Sequence, residues 1–373
     1  MEHFETVIIG GGPAGTAAGI SLLKKGKKCC IVDKQKFPRD KPCGGLLSQK
    51  TLDLLAALDL SIDLASFYIN TTNRISIRKK NKPVSTFECE NTFYLTNRKL
   101  FDNLLVEEFK KLGGIIFENE FVKKVDASEK VISTKTDLFI KYEYLIFADG
   151  AMGISNKLVK RKNHGIAIEA DIPSDLFKFN DRTICIDFGL KHNGYGWIFP
   201  KNELTTVGFG CSSHQDGEKC LQDFKKYLAY CGISKRILVG MKGATLPYWP
   251  NTDSAICPKY NAMLVGDAAG MVDAMTGEGI YFALQSGMLA AKAIAEGENV
   301  LETYQQSSRN IYEIIERSHK AGLTFYKYRH FFMFFARNTE KRLARFCDNE
   351  LAYYNYGYEY NIKRKIFSFL FKR

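Results

Sequence analysis

The sequence predicts an α/β fold: a parallel sheet assembled from separated segments, an inserted antiparallel β-sheet domain, and a helical C-terminal region. Three observations carry this reading. A β-branched run, a glycine-rich turn and a small-residue helix follow one another at the N-terminus. A second buried-strand pattern ending in Gly-Asp recurs far downstream, at Ala262-Met263-Leu264-Val265-Gly266-Asp267. Between them, residues 166–210 alternate apolar and polar in strand-like runs, and beyond Ile280 the pattern turns helical.

The first element is Thr6-Val7-Ile8-Ile9, a run that reads as a buried parallel strand. It feeds Gly10-Gly11-Gly12-Pro13-Ala14-Gly15, a helix from Thr16 to Lys25, and a second strand, Cys29-Cys30-Ile31-Val32, closed by Asp33 and Lys34. This is a Rossmann-type β-α-β fingerprint, with its acid 18 residues past Gly15. Gly10 permits the tight turn, Gly12 lets a pyrophosphate approach the backbone, and Gly15 lets helix and strand pack closely. The helix N-terminus presents free N–H groups and the positive dipole end to phosphates. Asp33 is placed to accept hydrogen bonds from ribose hydroxyls.

Residues 75–89 read as a hairpin turning near Lys79-Lys80-Asn81. The Asn97-Arg98-Lys99-Leu100-Phe101 run opens a long helix, and Tyr144-Leu145-Ile146-Phe147-Ala148-Asp149-Gly150 ends another buried strand. The expected boundaries are a nucleotide domain over 1–74, 92–160 and 255–300, a substrate domain over 75–91 and 161–254, and a helical region over 301–373.

Composition excludes several classes. The chain has 373 residues, 45% hydrophobic and 25% charged, which fits neither disorder nor a fibre. No run approaches the roughly 18 apolar residues of a membrane span, and no secretory leader is evident at the start. The ten cysteines form no C-x-x-C pair, so no metal site is expected, and reduced thiols in a cytoplasmic setting are. Of the net charge of +12, +8 falls after residue 319, where 12 Lys and Arg face 4 Asp and Glu. There they mix with Phe331-Phe332-Met333-Phe334-Phe335 and Lys365-Ile366-Phe367-Ser368-Phe369-Leu370-Phe371. A basic, aromatic end predicts peripheral contact with the inner face of a membrane, or a helical cap. It matches no nucleic-acid module.

The downstream block, Gly266-Asp267-Ala268-Ala269-Gly270, resembles that of flavoproteins of the p-hydroxybenzoate hydroxylase type, in which the Asp serves the ribityl–phosphate region of FAD. Asp149 and Gly150 are similar to the same superfamily's Asp-Gly strand end, and Arg98 matches its cofactor-reaching arginine. The resemblance implies FAD as cofactor. Two further motifs resemble the geranylgeranyl reductase family of FAD-dependent oxidoreductases: Phe37-Pro38-Arg39-Asp40-Lys41-Pro42-Cys43-Gly44-Gly45, and Tyr195-Gly196-Trp197-Ile198-Phe199-Pro200 followed after seven residues by Gly208-Phe209-Gly210. Gly277-Glu278-Gly279-Ile280-Tyr281 is also similar, and the likeness runs to about residue 300.

That family implies reduction of isolated carbon–carbon double bonds in isoprenoid chains, on lipids, quinones or diphosphates, by hydride from reduced flavin. The residues suit this. Gly44 and Gly45 remove side chains where a backbone passes close to a ring system. Tyr195, Trp197 and Phe199 alternate along a strand and so share one face, an apolar wall for a hydrophobic substrate; Pro200, Gly208 and Gly210 are assigned to the same substrate site. An unconjugated alkene cannot stabilise the carbanion left by hydride attack, so a proton donor is needed. Motif position makes Cys43 the candidate, but a thiol of pKa about 8.5 is a weak acid, so a concerted or positioning role is expected. The loop holding Gly277 and Gly279 opens the Ile280 helix, and its N–H groups are placed to stabilise the anionic edge of reduced flavin. Glu278 is given no proton role. With no second glycine fingerprint, the electron donor is expected to be transiently docked NAD(P)H or a small redox protein. The competing readings are a flavin monooxygenase or halogenase on the same fold, and a non-catalytic redox-sensing flavoprotein at a membrane surface. Halogenases carry Trp-x-Trp-x-Ile-Pro, where this chain has Tyr195 and Phe199.

Overall fold

Val7, Ile8 and Ile9 are all withdrawn from water, leaving no polar face. A strand of that kind is stable only inside a sheet covered on both sides. The computed structural model places it at the centre of one, and describes residues 1–157, 164–177, 182–190, 193–211, 217–248, 251–336 and 339–348. The basic aromatic run 365–371 lies outside the described residues.

Along the chain, β1 (Glu2–Ile9), α1 (Pro13–Lys24) and β2 (Cys29–Val32) precede a short β3 (Leu46–Leu47) and α2 (Gln49–Ala57). A hairpin of β4 (Asn70–Lys79) and β5 (Lys82–Leu95) leads to α3 (Arg98–Lys111) and β6 (Ile115–Phe117). Then come β7 (Val122–Asp126), β8 (Val131–Thr134) and β9 (Phe139–Phe147). The insertion holds β10 (His164–Pro173), β11 (Ile184–Asp187), β12 (Gly194–Pro200), β13 (Leu204–Cys211), α4 (Gly217–Tyr230) and β14 (Val239–Pro247). The chain returns through β15 (Ile256–Cys257) and β16 (Ala262–Leu264), then runs through α5 (Ile280–Glu296), α6 (Val300–Lys327), α7 (Arg329–Phe335) and α8 (Glu340–Phe346).

The first sheet has the order β15-β16-β9-β1-β2-β6, with β7 and β8 off this path. Its central pairs, from β16 to β6, are all parallel. The crossover helix α1 packs on α5 at very short range, because Gly287 carries no side chain where a Cβ would stand 2.2 Å from the Ala14 carbonyl oxygen. The second sheet has the order β14-β10-β13-β12-β11-β4-β5-β3. It departs from the expected antiparallel sheet at one seam, where β11 and β4 run parallel because they come from different segments of the chain.

The hairpin turns at Lys80 and Asn81, both at positive φ, near the place the sequence predicts. Its strands are longer than expected, however. The polar run Asn70-Thr71-Thr72-Asn73 hides the start of β4, and a register shift between Thr72 and Arg74 breaks the period-two signal. Residues 70–74, 92–95 and Leu46–Leu47 therefore belong to the second sheet, not to the nucleotide domain. At the other end of the chain Asp348 accepts the Glu90 and Asn91 N–H groups at 3.0 and 2.9 Å, fastening the end of α8 to β5.

Candidate active site

The parallel strands deliver four chain ends to one crevice: Gly10 after β1, Asp33 after β2, Asp149 after β9 and Asp267 after β16. Crevices at the carboxyl ends of such strands are where open α/β sheets bind ligands. Gly10 makes its turn at φ +106°, with its α-hydrogen side against the Ala148 carbonyl. The Asp33 carboxylate accepts the Gly11 N–H at 2.7 Å and the Gln35 N–H at 2.8 Å, so it shapes the glycine turn as well as facing the cavity. Asp149 accepts both the backbone N–H and the hydroxyl of Ser155, which folds the turn around Gly150.

Positive charge gathers at the N-terminus of α1. Arg98 opens α3 behind its Asn97 cap and grips Asp102 through two bonds of 2.6 and 2.7 Å. Burial opposes the Arg98 charge, but Asp102 outweighs it and holds the guanidinium charged. Arg39 shares Asp102 at 3.2 Å, and Lys41 pairs with Asp267 at 2.9 Å. Arg39 Nε is buried with no hydrogen-bond partner among the described residues. An orphaned guanidinium donor beside the bare Gly12 backbone fits the pyrophosphate of a dinucleotide. Pro13, Ala14 and Lys34 line the same end.

From there one cavity of about 1320 Å³ runs on to the second sheet. Ordinary small-molecule pockets hold about 300–1,000 Å³, so it has room for a dinucleotide and a further ligand. Its far wall is apolar. The Tyr195 and Trp197 rings lie 5.9 Å apart and those of Trp197 and Phe199 6.2 Å apart, in file along one face of β12. Cys43, Gly44 and Gly45 also line the cavity, with Gly44 against the Trp197 and Phe199 rings. A Cβ on Gly44 would meet Phe199 at 2.8 Å, so only a bare backbone fits there. Gly277, Gly279 and Ile280 complete the lining where α5 begins. Their loop is held by Asp273, which accepts the Met275 and Thr276 N–H groups at 2.8 and 2.7 Å, and by the Tyr195 hydroxyl, which donates to the Thr276 carbonyl.

Residues 3–181 match the FAD binding domain family. An uncharacterised protein of Methanosarcina barkeri is 34% identical over 302 residues, covering 79% of this chain and 75% of that one. The chloroplastic geranylgeranyl diphosphate reductase of Nicotiana tabacum is 26% identical over 320 residues, 80% of this chain and 68% of its own. The chain belongs to the geranylgeranyl reductase family of FAD-dependent oxidoreductases. A geranylgeranyl bacteriochlorophyll reductase-like protein of Thermoplasma acidophilum superimposes with a TM-score of 0.75 at 20% identity, covering 100% of this chain and 98% of that one. A flavin-dependent brominase mutant does so with a TM-score of 0.71 at 21% identity, over 92% and 93%. At these identities the two structures speak for the fold alone.

Within this geranylgeranyl reductase fold, most of the expected cofactor residues do line the cavity. Gly15 and Gly266 do not. Gly15 lies against the Gly10 carbonyl and Gly266 between Ala14 and Ala283, so both act by letting backbones pack. Two of the expected substrate residues also fall elsewhere. Pro200 pairs with Thr205 at the end of β12, and Gly208 lies beneath the Trp197 indole, so neither faces the ligand space. Gly210 does face it.

Sequence reasoning passed over four residues that the fold brings in. Arg39 and Lys41 stood in the quoted loop without a role. Glu169 on β10 accepts the Cys43 N–H at 2.6 Å and faces the cavity. Lys201 is buried just after β12, its Nζ 3.2 Å from where a Gly45 Cβ would stand. Burial raises the Glu169 carboxyl and lowers the Lys201 ammonium from their usual values, each partly offset by the other. Glu278 is tied into an ion pair with Lys50 at 2.8 Å and accepts from the Ser48 hydroxyl at 2.9 Å.

Proposed function

We propose that this oxidoreductase reduces isolated carbon–carbon double bonds in an isoprenoid chain carried by a lipid, a quinone or a diphosphate. The observation that carries the proposal is the ring wall of Tyr195, Trp197 and Phe199, which lines the same cavity as the dinucleotide end. A rigid aromatic surface lined up with a dinucleotide end suits a long branched apolar ligand. Relatives named for such a reaction point the same way, including a digeranylgeranylglycerophospholipid reductase of Methanococcoides burtonii. An open cavity is not what a purely sensing flavoprotein requires. When bound, reduced FAD supplies the hydride. The chain's own part is to bind and orient the alkene, exclude water, and hold a proton beside it.

The test is anaerobic mixing of photoreduced protein with a panel of polyprenyl lipids, quinones and diphosphates, followed by mass analysis. Each reduced bond adds one hydrogen molecule to the mass, and no gain across the panel overturns the proposal. Cys43→Ser is expected to retain FAD and to slow substrate-dependent flavin reoxidation; reoxidation at the wild-type rate removes Cys43 from the chemistry. The second reading is an oxygen-using monooxygenase or halogenase, since a flavin-dependent brominase shares the fold. Accumulation of a flavin–oxygen adduct, with oxygenated or halogenated product on admitting air, decides for it.

The proposal extends to two partners. The flavin is reduced by NAD(P)H or by a small redox protein, which rapid mixing with each donor separates. A lipid surface is the second. Leu323, Tyr328, Phe331 and Phe334 are exposed near the end of α6 and on α7, beside Lys320, Lys327 and Arg329, while Phe332 and Met333 of α7 line the cavity. Among the described residues no helix is long and apolar enough to cross a membrane. Flotation with anionic vesicles, lost on replacing Phe331 and Phe334 by Ser, checks this contact.

A further inference from the structure

We propose that Glu169 is the acid that protonates the double bond, an inference that rests on the prenyl-reductase reading above. The second sheet presents a nearly unbroken apolar face to the cavity, through Ile75, Ile77, Ile184, Ile186 and the β12 rings. Among the described residues of its strands, Glu169 is the one charged side chain that lines the cavity. It stands in period with Gly165 and Ala167 along β10, so the strand aims it inward. A register shift lies beside it in the β10–β14 pairing, between Glu169 and Asp171. Bulges of this kind recur where a strand re-aims a side chain next to a site.

The carboxyl is held at the right place. Its Oε1 accepts the Cys43 N–H at 2.6 Å, at the backbone where the Trp197 and Phe199 rings close on Gly44. Oε1 is thereby committed to the backbone, which leaves Oε2 to carry a proton. The charged groups around it are Asp171 on its own strand, Lys201 after β12, and Lys242 on β14, itself 3.4 Å from Asp40. Burial is the largest influence and favours the neutral acid, opposed by the Cys43 N–H and then by Lys201. A carboxylic acid so placed is a far better proton donor to an alkene than the Cys43 thiol.

The step balances. The proton leaves Glu169 Oε2 for one alkene carbon, and the π pair forms that C–H bond. Reduced flavin, when bound, would supply the other carbon with a hydride and its electron pair. Glu169 is left as a carboxylate and regains a proton from water.

The test uses the FAD-loaded chain, reduced with dithionite and mixed anaerobically with geranylgeranyl diphosphate as probe. Glu169→Gln keeps an oxygen for the Cys43 N–H but has no proton to give, and is expected to slow single-turnover reduction by roughly 100-fold or more while FAD affinity is unchanged. The wild-type rate is expected to fall as pH rises through the Glu169 pKa, and the residual Glu169→Gln rate to be flat. Glu169→Asp, a second variant, keeps the pH dependence at a lower rate. A Glu169→Gln rate within about twofold of wild type, with the same pH profile, overturns the acid role and leaves Glu169 as a positioning residue for Cys43. An independent readout is the 13C NMR titration of the Glu169 carboxyl, assigned by its loss in Glu169→Gln. A midpoint at or below the ordinary value of 4.5 also overturns the proposal. A wild-type chain that reduces no double bond overturns the prenyl reading instead, and the NMR midpoint still decides whether Glu169 keeps its proton.

Discussion

The Tyr195 hydroxyl donates to the Thr276 carbonyl, so the first ring of the substrate wall is fastened to the loop that opens α5. The two come from different sheets' neighbourhoods, and the bond makes the apolar wall and the cofactor end one structure. Tyr195→Phe keeps the ring and removes the tie. Asp273 still holds the loop through Met275, Thr276 and the Ser318 hydroxyl, at 2.8, 2.7 and 2.6 Å. The loss is therefore that of one hydrogen bond, about 1 kcal/mol. FAD titration of the apoprotein should show affinity about fivefold weaker, and unchanged affinity would mean that the loop is set by Asp273 alone.

Trp197 separates ligand from core. Its indole lines the cavity on one side and covers Gly208 on the other, where a Cβ would come within 2.1 Å of Cζ2. Gly208→Ala must therefore turn the indole into the cavity, and Trp197→Ala must remove it. Both variants are expected to weaken prenyl binding more than FAD binding, measured by titrating each ligand separately. Trp197→Ala should also cost about 3–5 kcal/mol in denaturant unfolding. Equal losses of both ligands would assign Trp197 to packing.

The cofactor end of the site was legible because its signal is local. Gly10, Gly12, Gly15 and Asp33 act through spacing along one β-α-β unit, and spacing is what a sequence displays. The ring wall was legible for the same reason, since period two puts Tyr195, Trp197 and Phe199 on one face whatever the fold. Pro200 and Gly208 joined the expected substrate site through the motif: Pro200 is out of period with the three rings, and period two does not say how deep Gly208 lies. Glu169 was invisible because its meaning comes from Cys43, 126 positions away. Arg39 likewise takes its role from Asp102, which α3 buries beside it. A lone acid in a predicted strand carries no mark of the loop that will cross it.

Gly10 and Gly150 give a matched pair of backbone tests. Both have positive φ, +106° and +76°. At Gly10 a Cβ would stand 2.3 Å from the Ala148 carbonyl oxygen, against the Ala148–Asp149 backbone, whereas at Gly150 nothing among the described residues lies within 4 Å. Gly10→Ala is thus expected to yield protein that takes up no FAD, seen as a colourless preparation. Gly150→Ala should meet only the left-handed penalty of about 1–2 kcal/mol and remain yellow.

The raised Glu169 carboxyl also has a consequence for stability. Burial is its main cause, so the folded chain keeps this proton above the ordinary value of 4.5, where the unfolded chain has lost it. Between those two values the folded state binds more protons than the unfolded state, and stability falls as pH rises. Below the window both states are protonated and the penalty is absent; above it the penalty is complete. Glu169→Gln cannot titrate and escapes the loss. Denaturant unfolding of the two chains across this range should show wild type losing stability relative to Glu169→Gln as pH rises. A wild type that gains on the variant would mean that the Cys43 N–H and Lys201 together outweigh burial, and that the carboxylate is the form the fold prefers.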